Sequence, residues 1–267
     1  MVGTDVLLVT PTDQTPALAA HTKEGVWKDA AWSERFVDMV TGRPSLYDSR
    51  AAAVATPSGL RFAFWCEDPY PTATLTERDS IVFADNDVEV FLDFGWGYYE
   101  LEVNAFGTIY EVMHVWRDTF ASSPFAGDPL YAIDRPDIFV FGGDEDRRPA
   151  SFWHGTHERG VRISRTGYDF PGLSVAVHVD GHLNAPTVTS RGWSVEIELP
   201  WPELSRLSGG RVDAAHAWSL PAFIGRFQHL EIAGVRHTAA WCLRAHGVMD
   251  THQPREFALL TYGTVAR

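Results

Sequence analysis

This sequence has few cysteines, and it lacks both a long apolar run and an N-terminal segment that resembles a leader peptide. Its two cysteines, Cys66 and Cys242, exclude a disulfide framework and a four-cysteine zinc site. We expect both to be buried thiols that pack as small hydrophobic groups. No apolar run is long enough to cross a bilayer, and the first residues lack a basic segment followed by an apolar one. As written, the sequence predicts a cytoplasmic protein, or a secreted one if a leader has been removed.

Basic side chains are also few: 22 Lys and Arg stand against 35 Asp and Glu, a formal net charge of -13. This charge opposes contact with nucleic acid and with anionic membrane surfaces, so we expect neither as a partner. Neutral ligands, cations and basic partners stay open, as does the oligomeric state. Hydrophobic residues make up 45% and charged residues 21%, which is typical of a globular chain with a sizeable core.

Helical periodicity is scarce, and strand patterns dominate. Only residues 202–207 predict a short helix, with a turn near 34–39 as a second candidate. Residues 87–94 and 99–104 alternate between apolar and polar side chains and are joined by a link that contains two glycines, which predicts a hairpin with one face toward a core. Further strands are predicted at 60–67, 108–114, 138–141, 173–179 and 193–199.

These elements predict one all-β domain that spans residues 1–267. Its architecture is expected to be a two-sheet antiparallel β-sandwich of the immunoglobulin or jelly-roll kind. The long stretch at about 117–190 is dense in Gly, Pro and charge but contains strand-like pieces of its own. We therefore interpret it as an elaborated insertion within the domain and not as a linker.

The polar face of the predicted hairpin is crowded with carboxylates. Like charges that face each other across strands repel, so this face needs a cation, an arginine or sugar hydroxyls, unless it is simply a solvated surface. Carboxylates and amides beside aromatic rings are the side chains that bind a sugar, the polar groups to its hydroxyls and the rings to its apolar face. The face carries Asp87, Glu89, Asp93, Glu100, Glu102 and Asn104.

Metal ligands are predicted on loops, although no cofactor is required. Calcium is the favoured ion, with Asp85 and Asp87 as hard oxygen ligands in a sequence that is not an EF-hand loop. Zinc is the weaker alternative, because His154-x-x-His157 and His178-x-x-x-His182 lack the Glu and helical context of a hydrolytic zinc motif. No phosphate-binding glycine loop and no Gly-x-Ser-x-Gly elbow is present.

The order of several motifs resembles the family 9 carbohydrate-binding modules. The resemblance covers nearly the whole chain except about 117–190. It implies two antiparallel sheets packed face to face, a sugar held in an exposed slot between aromatic rings, and calcium bound structurally in some members. The motifs are Trp27-x-x-Ala30, residues 60–64, 67–69, 78–79, 87–93, 98–104 with Gly107, and 193–201, and finally Trp241 followed by His252-Gln253-Pro254-x-x-Phe257.

Two positions of the family's sugar site match in this resemblance, and two depart from it. Phe83 falls where a stacking Trp is expected, and Glu89 falls on the hydrogen-bonding carboxylate. Glu102 replaces the expected arginine, and the second stacking Trp falls near Thr251 and His252. These departures put the usual specificity for a sugar end in doubt.

Other residues are expected to complete such a slot. Arg226 lies where relatives carry a polar or cationic residue, and it is predicted to neutralise Glu89 or Glu102. The predicted ligand-binding set is Phe83, Glu89, Glu102, Asn104, Trp116, Trp153, His154, Arg226, Trp241 and His252, with His157 as a further substitute from the insertion.

The favoured hypothesis is a noncatalytic protein that binds a mono- or oligosaccharide and serves carbohydrate catabolism. The alternative is an enzyme that acts on O-glycosyl compounds or a related small molecule, with the acidic face and the histidine-bearing insertion as its pocket. A third reading is a partner-binding domain that kept the sandwich but lost the sugar site, because fold does not fix function.

Overall fold

The computed structural model describes residues 4–141 and 159–263, in which strands dominate. The first seven strands are β1 (Val6–Pro11), β2 (Val37–Asp38), β3 (Ser49–Ala55), β4 (Gly59–Glu67), β5 (Asp87–Asp93), β6 (Gly97–Asn104) and β7 (Ile109–Trp116). The next are β8 (Ile138–Phe141), β9 (Arg162–Arg165), β10 (Ser174–Asp180), β11 (Gly192–Pro200), β12 (Trp218–Ile232), β13 (Val235–Cys242) and β14 (Ala258–Tyr262). The described residues contain one α-helix, α1 (Trp201–Ser208), and short 3-10 turns, among them Val82–Ala84 and Pro254–Glu256.

The strands form the predicted all-β sandwich. One half has the order β10-β11-β4-β3, and the other has the order β14-β12-β5-β6-β7-β9-β8. β1 pairs in parallel with both β3 and β14, and so joins the halves into one continuous 14-stranded sheet. The antiparallel sandwich therefore has a parallel seam at β1, which the alternation of side chains along one strand does not reveal.

The core lies between the two halves and takes the apolar face of each strand, as predicted. Val88, Val90 and Leu92 of β5 and Leu101 of β6 are fully buried in it. The opposite half contributes Leu60, Phe62 and Phe64 of β4 and Val195, Ile197 and Leu199 of β11. Alternation with period two places these side chains on one face, so burying them fixes the register of both strand pairs, β5 with β6 and β4 with β11.

The predicted short helix is confirmed as α1. Pro202 lies in its first turn, where a missing N–H costs nothing, and Leu204 and Leu207 face the core. Gly209 follows in the left-handed conformation with φ 63°, which ends the helix without a Cβ clash. The second candidate, near 34–39, instead contains β2, which pairs with β13.

The insertion adds strands to both halves of the sandwich. β9 pairs with the edge of β7, and β8 pairs with β9. β10 pairs with β11 at the far end of the other half. The strands β8, β9 and β10 of this stretch thus belong to the same sheet as the other described strands.

The two cysteines and the N-terminal segment are tied into this fold. Cys66 and Cys242 are free and buried, as predicted. Glu196 of β11 accepts hydrogen bonds from the backbone N–H groups of Ala19 and Ala20, both at 2.7 Å, and from the indole of Trp27. The Trp27 motif and the β11 motif therefore lie next to each other in the structure.

Among the described residues, no helix is long and apolar enough to cross a membrane.

Candidate functional site

Three carboxylates converge on the face of β5 and β6 that points away from the core. Glu89 lies directly opposite Glu102 in the register of the two strands, and Asp87 is two residues from Glu89 on the same face. One oxygen from each lies within 4.8 Å of the others. All three side chains are buried. We call Asp87, Glu89 and Glu102 the carboxylate trio.

Hydrogen bonds satisfy only part of the trio. The backbone N–H of Phe227 donates to Asp87 Oδ1 at 2.9 Å, and that of Phe83 donates to Glu102 Oε2 at 3.0 Å. Among the described residues, Asp87 Oδ2 and Glu89 Oε2 are buried without a hydrogen-bond partner. A buried carboxylate oxygen without a donor is costly, so the trio is suited to a ligand that brings donors or positive charge.

Burial raises the pKa of all three carboxyl groups well above their ordinary values, and the charges of their neighbours raise it further. In the described part of the chain, none of the three forms an ion pair with lysine or arginine. The trio therefore holds protons at pH values where an exposed carboxyl group is ionised.

Aromatic side chains border the trio. The backbone N–H of Phe83 donates to Glu102, which places the Phe83 backbone beside the trio, and the Phe83 side chain is 46% exposed. Tyr110, opposite Glu102 in the register, is partly exposed. Phe91, Tyr98 and Phe223 form a buried apolar cluster on the same face. The trio thus lies next to a ring-lined region and not on a bare outer surface.

A second group of possible ligands lies beside the trio. Glu100, His114 and His252 each bring one ligand atom within 4.8 Å of the others, from β6, β7 and the loop before Pro254. His114 Nε2 lies 2.5 Å from Glu100 Oε2. We call these three residues the histidine cluster. Burial raises the pKa of Glu100 to about 8 and lowers that of His114 well below its ordinary value, so both are neutral at pH 7.

Hydroxyl groups hold both imidazole rings of the histidine cluster. Ser164, directly opposite His114 in the pairing of β7 with β9, lies 2.7 Å from His114 Nδ1. Tyr98 OH lies 3.0 Å from His252 Nδ1 and accepts a hydrogen bond from Arg162 at 2.7 Å. Such contacts fix the orientation of an imidazole ring.

Trp116 was predicted to stack on a ligand and is instead buried beneath two arginines. The guanidinium groups of Arg159 and Arg162 each lie 4.9 Å from its ring, and Tyr98 packs beside it at 5.9 Å. These cation–π contacts and its burial leave little ring surface for a sugar.

Asn104 and Asp85 maintain loop structure. Asn104 donates to the Leu75 carbonyl and to Asp85, and its oxygen accepts from the backbone N–H groups of residues 106 and 108. Asp85 also accepts from Thr74 and from the N–H of Leu75. These bonds occupy the polar atoms of Asn104, which was predicted to bind a sugar, and of Asp85, which was predicted to bind calcium. Of the two predicted calcium ligands, Asp87 alone belongs to the carboxylate trio.

Arg226 and Trp241 lie on the core face of β12 and β13. Gly225 is opposite Glu89, so the next residue, Arg226, points to the other side of the sheet. There it forms a buried ion pair with Asp68 at 2.9 Å. Trp241, its partner in β13, donates to Gln228 at 3.1 Å. The expectation that Arg226 neutralises Glu89 or Glu102 is therefore corrected, since strand alternation directs it into the core.

Of the remaining predicted residues, His252 lies in the histidine cluster, whereas Trp153, His154 and His157 fall outside the described residues. Neither His114 nor Ser164 was assigned to a site from the sequence alone. One signal was present: alternation along 108–114 places His114 on the same side as the acidic face. Its proximity to His252 depends on a loop 138 residues later, which no local pattern predicts.

Comparisons with known proteins agree on the fold. No protein-family model matches the sequence, and no curated protein does. A protein from Bacteroides uniformis ATCC 8492, provisionally described as carbohydrate-binding, aligns with a TM-score of 0.56 and 13% identity over 97% of this chain and 100% of its own. A family 9 carbohydrate-binding module from Caldicellulosiruptor kristjanssonii, solved with glucose, aligns with a TM-score of 0.54 and 10% identity over 98% of this chain and 97% of its own.

A structure from the same organism, a family 9 module with cellotriose, aligns with a TM-score of 0.51 and 10% identity over 98% of this chain and 95% of its own. These alignments cover nearly the whole chain at identities that establish architecture alone. The chain therefore has the fold of the family 9 carbohydrate-binding modules.

Proposed function

We propose that this protein binds a carbohydrate at the carboxylate trio, with Phe83 covering the sugar from the surface side. The observation that carries the proposal is the pair of buried oxygens, Asp87 Oδ2 and Glu89 Oε2, that lack a donor among the described residues. Sugar hydroxyls are neutral donors, so they satisfy these oxygens without adding charge. The fold of modules that hold glucose and cellotriose supports the same ligand class.

Phe83 gives the proposed site its apolar element. A phenylalanine that is 46% exposed leaves ring surface in water, and the C–H face of a pyranose covers such a ring well. The bond from the Phe83 N–H to Glu102 joins the stacking residue to the trio. Stacking and hydrogen bonding would therefore act on one sugar unit.

Calorimetric titration with a panel of mono- and oligosaccharides, glucose and cellotriose included, tests the proposal. We expect binding by the wild type and a loss of about tenfold in affinity for Phe83→Ala, which corresponds to about 1.4 kcal/mol. Glu89→Gln should weaken binding by a similar factor because the amide puts an NH2 group, which cannot accept a hydrogen bond, in place of one of the carboxyl oxygens. Phe106→Ala is the matched control, since Phe106 is 48% exposed but lies in the turn after β6.

Absence of heat across the whole panel, with folded protein, contradicts the proposal. An equal loss in Phe83→Ala and Phe106→Ala contradicts the location. The same samples should be assayed for turnover of chromogenic glycosides, because hydrolysis at the acidic face is the alternative that the sequence left open. A role in carbohydrate catabolism is part of the proposal and rests on the ligand that the panel identifies.

A further inference from the structure

The histidine cluster has the chemistry of a transition-metal site and is not used by the proposed sugar contacts. It combines two imidazoles with one carboxylate, a set that suits zinc and its neighbours in the first transition row. Calcium, by contrast, takes oxygen ligands only. The cluster differs in this respect from the carboxylate trio, which offers oxygen alone.

The strands and one loop bring these ligands together from distant parts of the chain. In the register of β6 with β7, Tyr98 is opposite His114, so Glu100 is the diagonal neighbour of His114 on the same face. His252 reaches them from a loop in which its N–H donates to Asp250 Oδ1 at 2.9 Å. Three separate elements therefore converge on one point, at which Glu100 and His114 are buried and His252 is half-buried.

Both imidazoles are held through the same nitrogen. Ser164 contacts Nδ1 of His114, and Tyr98 contacts Nδ1 of His252, each by a hydroxyl oxygen. In the tautomer in which Nδ1–H donates to the hydroxyl, Nε2 carries the lone pair and can coordinate an ion. In metal sites a hydrogen bond on the far ring nitrogen fixes this tautomer, and it also raises the basicity of the coordinating nitrogen.

The spacing of the ligand atoms suits a small ion. Ligand atoms of a tetrahedral zinc site are about 3.3 Å apart, since each bond is about 2.0 Å long. The three ligand atoms here lie within 4.8 Å of one another, and His114 Nε2 is 2.5 Å from Glu100 Oε2. At this spacing the three side chains could hold one ion.

We infer that Glu100, His114 Nε2 and His252 Nε2 bind one zinc-type divalent ion, with Ser164 and Tyr98 as positioning residues. Three protein ligands leave a fourth position for water or another small ligand, as in zinc sites that are not purely structural. The ion would lie beside the carboxylate trio, because Glu100 and Glu102 are two residues apart on one face of β6. The site does not depend on sugar binding.

Titration of metal-free protein with Co2+, followed by visible absorption, tests this inference, and competition with a chromophoric chelator gives the Zn2+ affinity. We expect one ion per chain and a loss of more than about 100-fold in affinity for His252→Phe and for Glu100→Gln. Ser164→Ala should weaken binding by about 10- to 100-fold, the usual effect of removing a partner of a metal-bound histidine. His216→Ala is the control, since His216 is an exposed histidine that pairs with Asp213.

Three results would overturn the inference. One is absence of Co2+ and Zn2+ binding by folded wild-type protein, and another is unchanged affinity in either ligand variant. The third is loss of binding in Glu89→Gln together with retention in His252→Phe, which would place the ion at the carboxylate trio. If His252→Phe does not fold, as judged by circular dichroism, the isosteric Glu100→Gln variant decides the question.

Discussion

The two faces of the β12-β5-β6 sheet bury charge in different ways. On the core face, Arg226 and Asp68 form an ion pair in which both side chains are nearly inaccessible to water. Ser49 and the Glu67 carbonyl also accept from Arg226. On the other face, the carboxylate trio is equally buried but has no cationic partner among the described residues, and two of its oxygens lack donors.

This difference distinguishes the Arg226–Asp68 pair, which stabilises the fold, from the carboxylate trio, which is suited to a ligand. Charge that is buried and paired is part of the fold, and removing one partner leaves the other uncompensated. Carboxyl groups that are buried without a cationic partner and with unsatisfied oxygens destabilise the fold, so their retention points to a use outside folding. The comparison predicts that stability depends on the core face and that ligand binding depends on the other.

The largest effect should come from a substitution on the core face, where Arg226 and Asp68 form an ion pair. We expect Arg226→Met to lower the free energy of unfolding by about 3–5 kcal/mol, because Asp68 is left as an unpaired buried charge. Urea denaturation measures this loss. Arg236→Met, which changes an exposed arginine of β13, should alter stability by no more than about 0.5 kcal/mol. Wild-type stability in Arg226→Met would remove the distinction between the two faces.

An intermediate effect should appear in the pH dependence of stability. The folded-state pKa of Glu100, about 8, lies above its unfolded value, so the native state holds a proton that the unfolded state has released. Stability therefore falls as pH rises, until the pH passes the folded pKa. Between pH about 7 and about 8.5, where histidines are neutral in both states, we expect a loss of about 1 kcal/mol.

Urea midpoints measured in a chelating buffer across this window test the pH prediction. The matched variant is Glu100→Gln, which cannot titrate at this position and should show a flatter profile. A wild-type profile that is flat or that rises across the window would show that Glu100 does not carry the extra proton.

The smallest effect should come from changing Glu89, on the face that carries the carboxylate trio. We expect Glu89→Gln to leave the free energy of unfolding within about 0.5 kcal/mol of the wild type, because the raised pKa of Glu89 keeps its carboxyl group protonated and an amide of the same shape replaces a neutral group. Asp68→Asn is the companion change on the core face and should cost clearly more, since its carboxylate accepts from both Arg226 and Asn86. Equal losses in the two variants would count against a ligand role for Glu89.

Much of the fold could be predicted from local pattern. Alternation along Asp87–Asp93 and Gly97–Asn104 identified which side chains enter the core, because a strand side chain can face only two ways. The short helix after β11 followed from Pro202 and its leucines. The parallel seam at β1 could not be predicted in this way, since it depends on which distant strands lie beside Val6–Pro11.

The site was less predictable because its character comes from long-range burial. The sequence placed Glu89 and Glu102 on one polar face, and the structure packs Phe257 and His252 against Phe91 of that face. Arg226 was assigned by family position, although its partner, Asp68, is 158 residues away in the chain. Cross-strand register and loop packing determine which distant residues contact each other, and a short stretch of sequence predicts neither.

The most direct test of a ligand role for the carboxylate trio is a crystal structure of the protein with a sugar that the titrations identify. The account predicts hydroxyl oxygens within hydrogen-bonding distance of Asp87 Oδ2 and Glu89 Oε2, and the ring of Phe83 against the sugar. A sugar bound elsewhere, with both oxygens satisfied by protein groups, would contradict it.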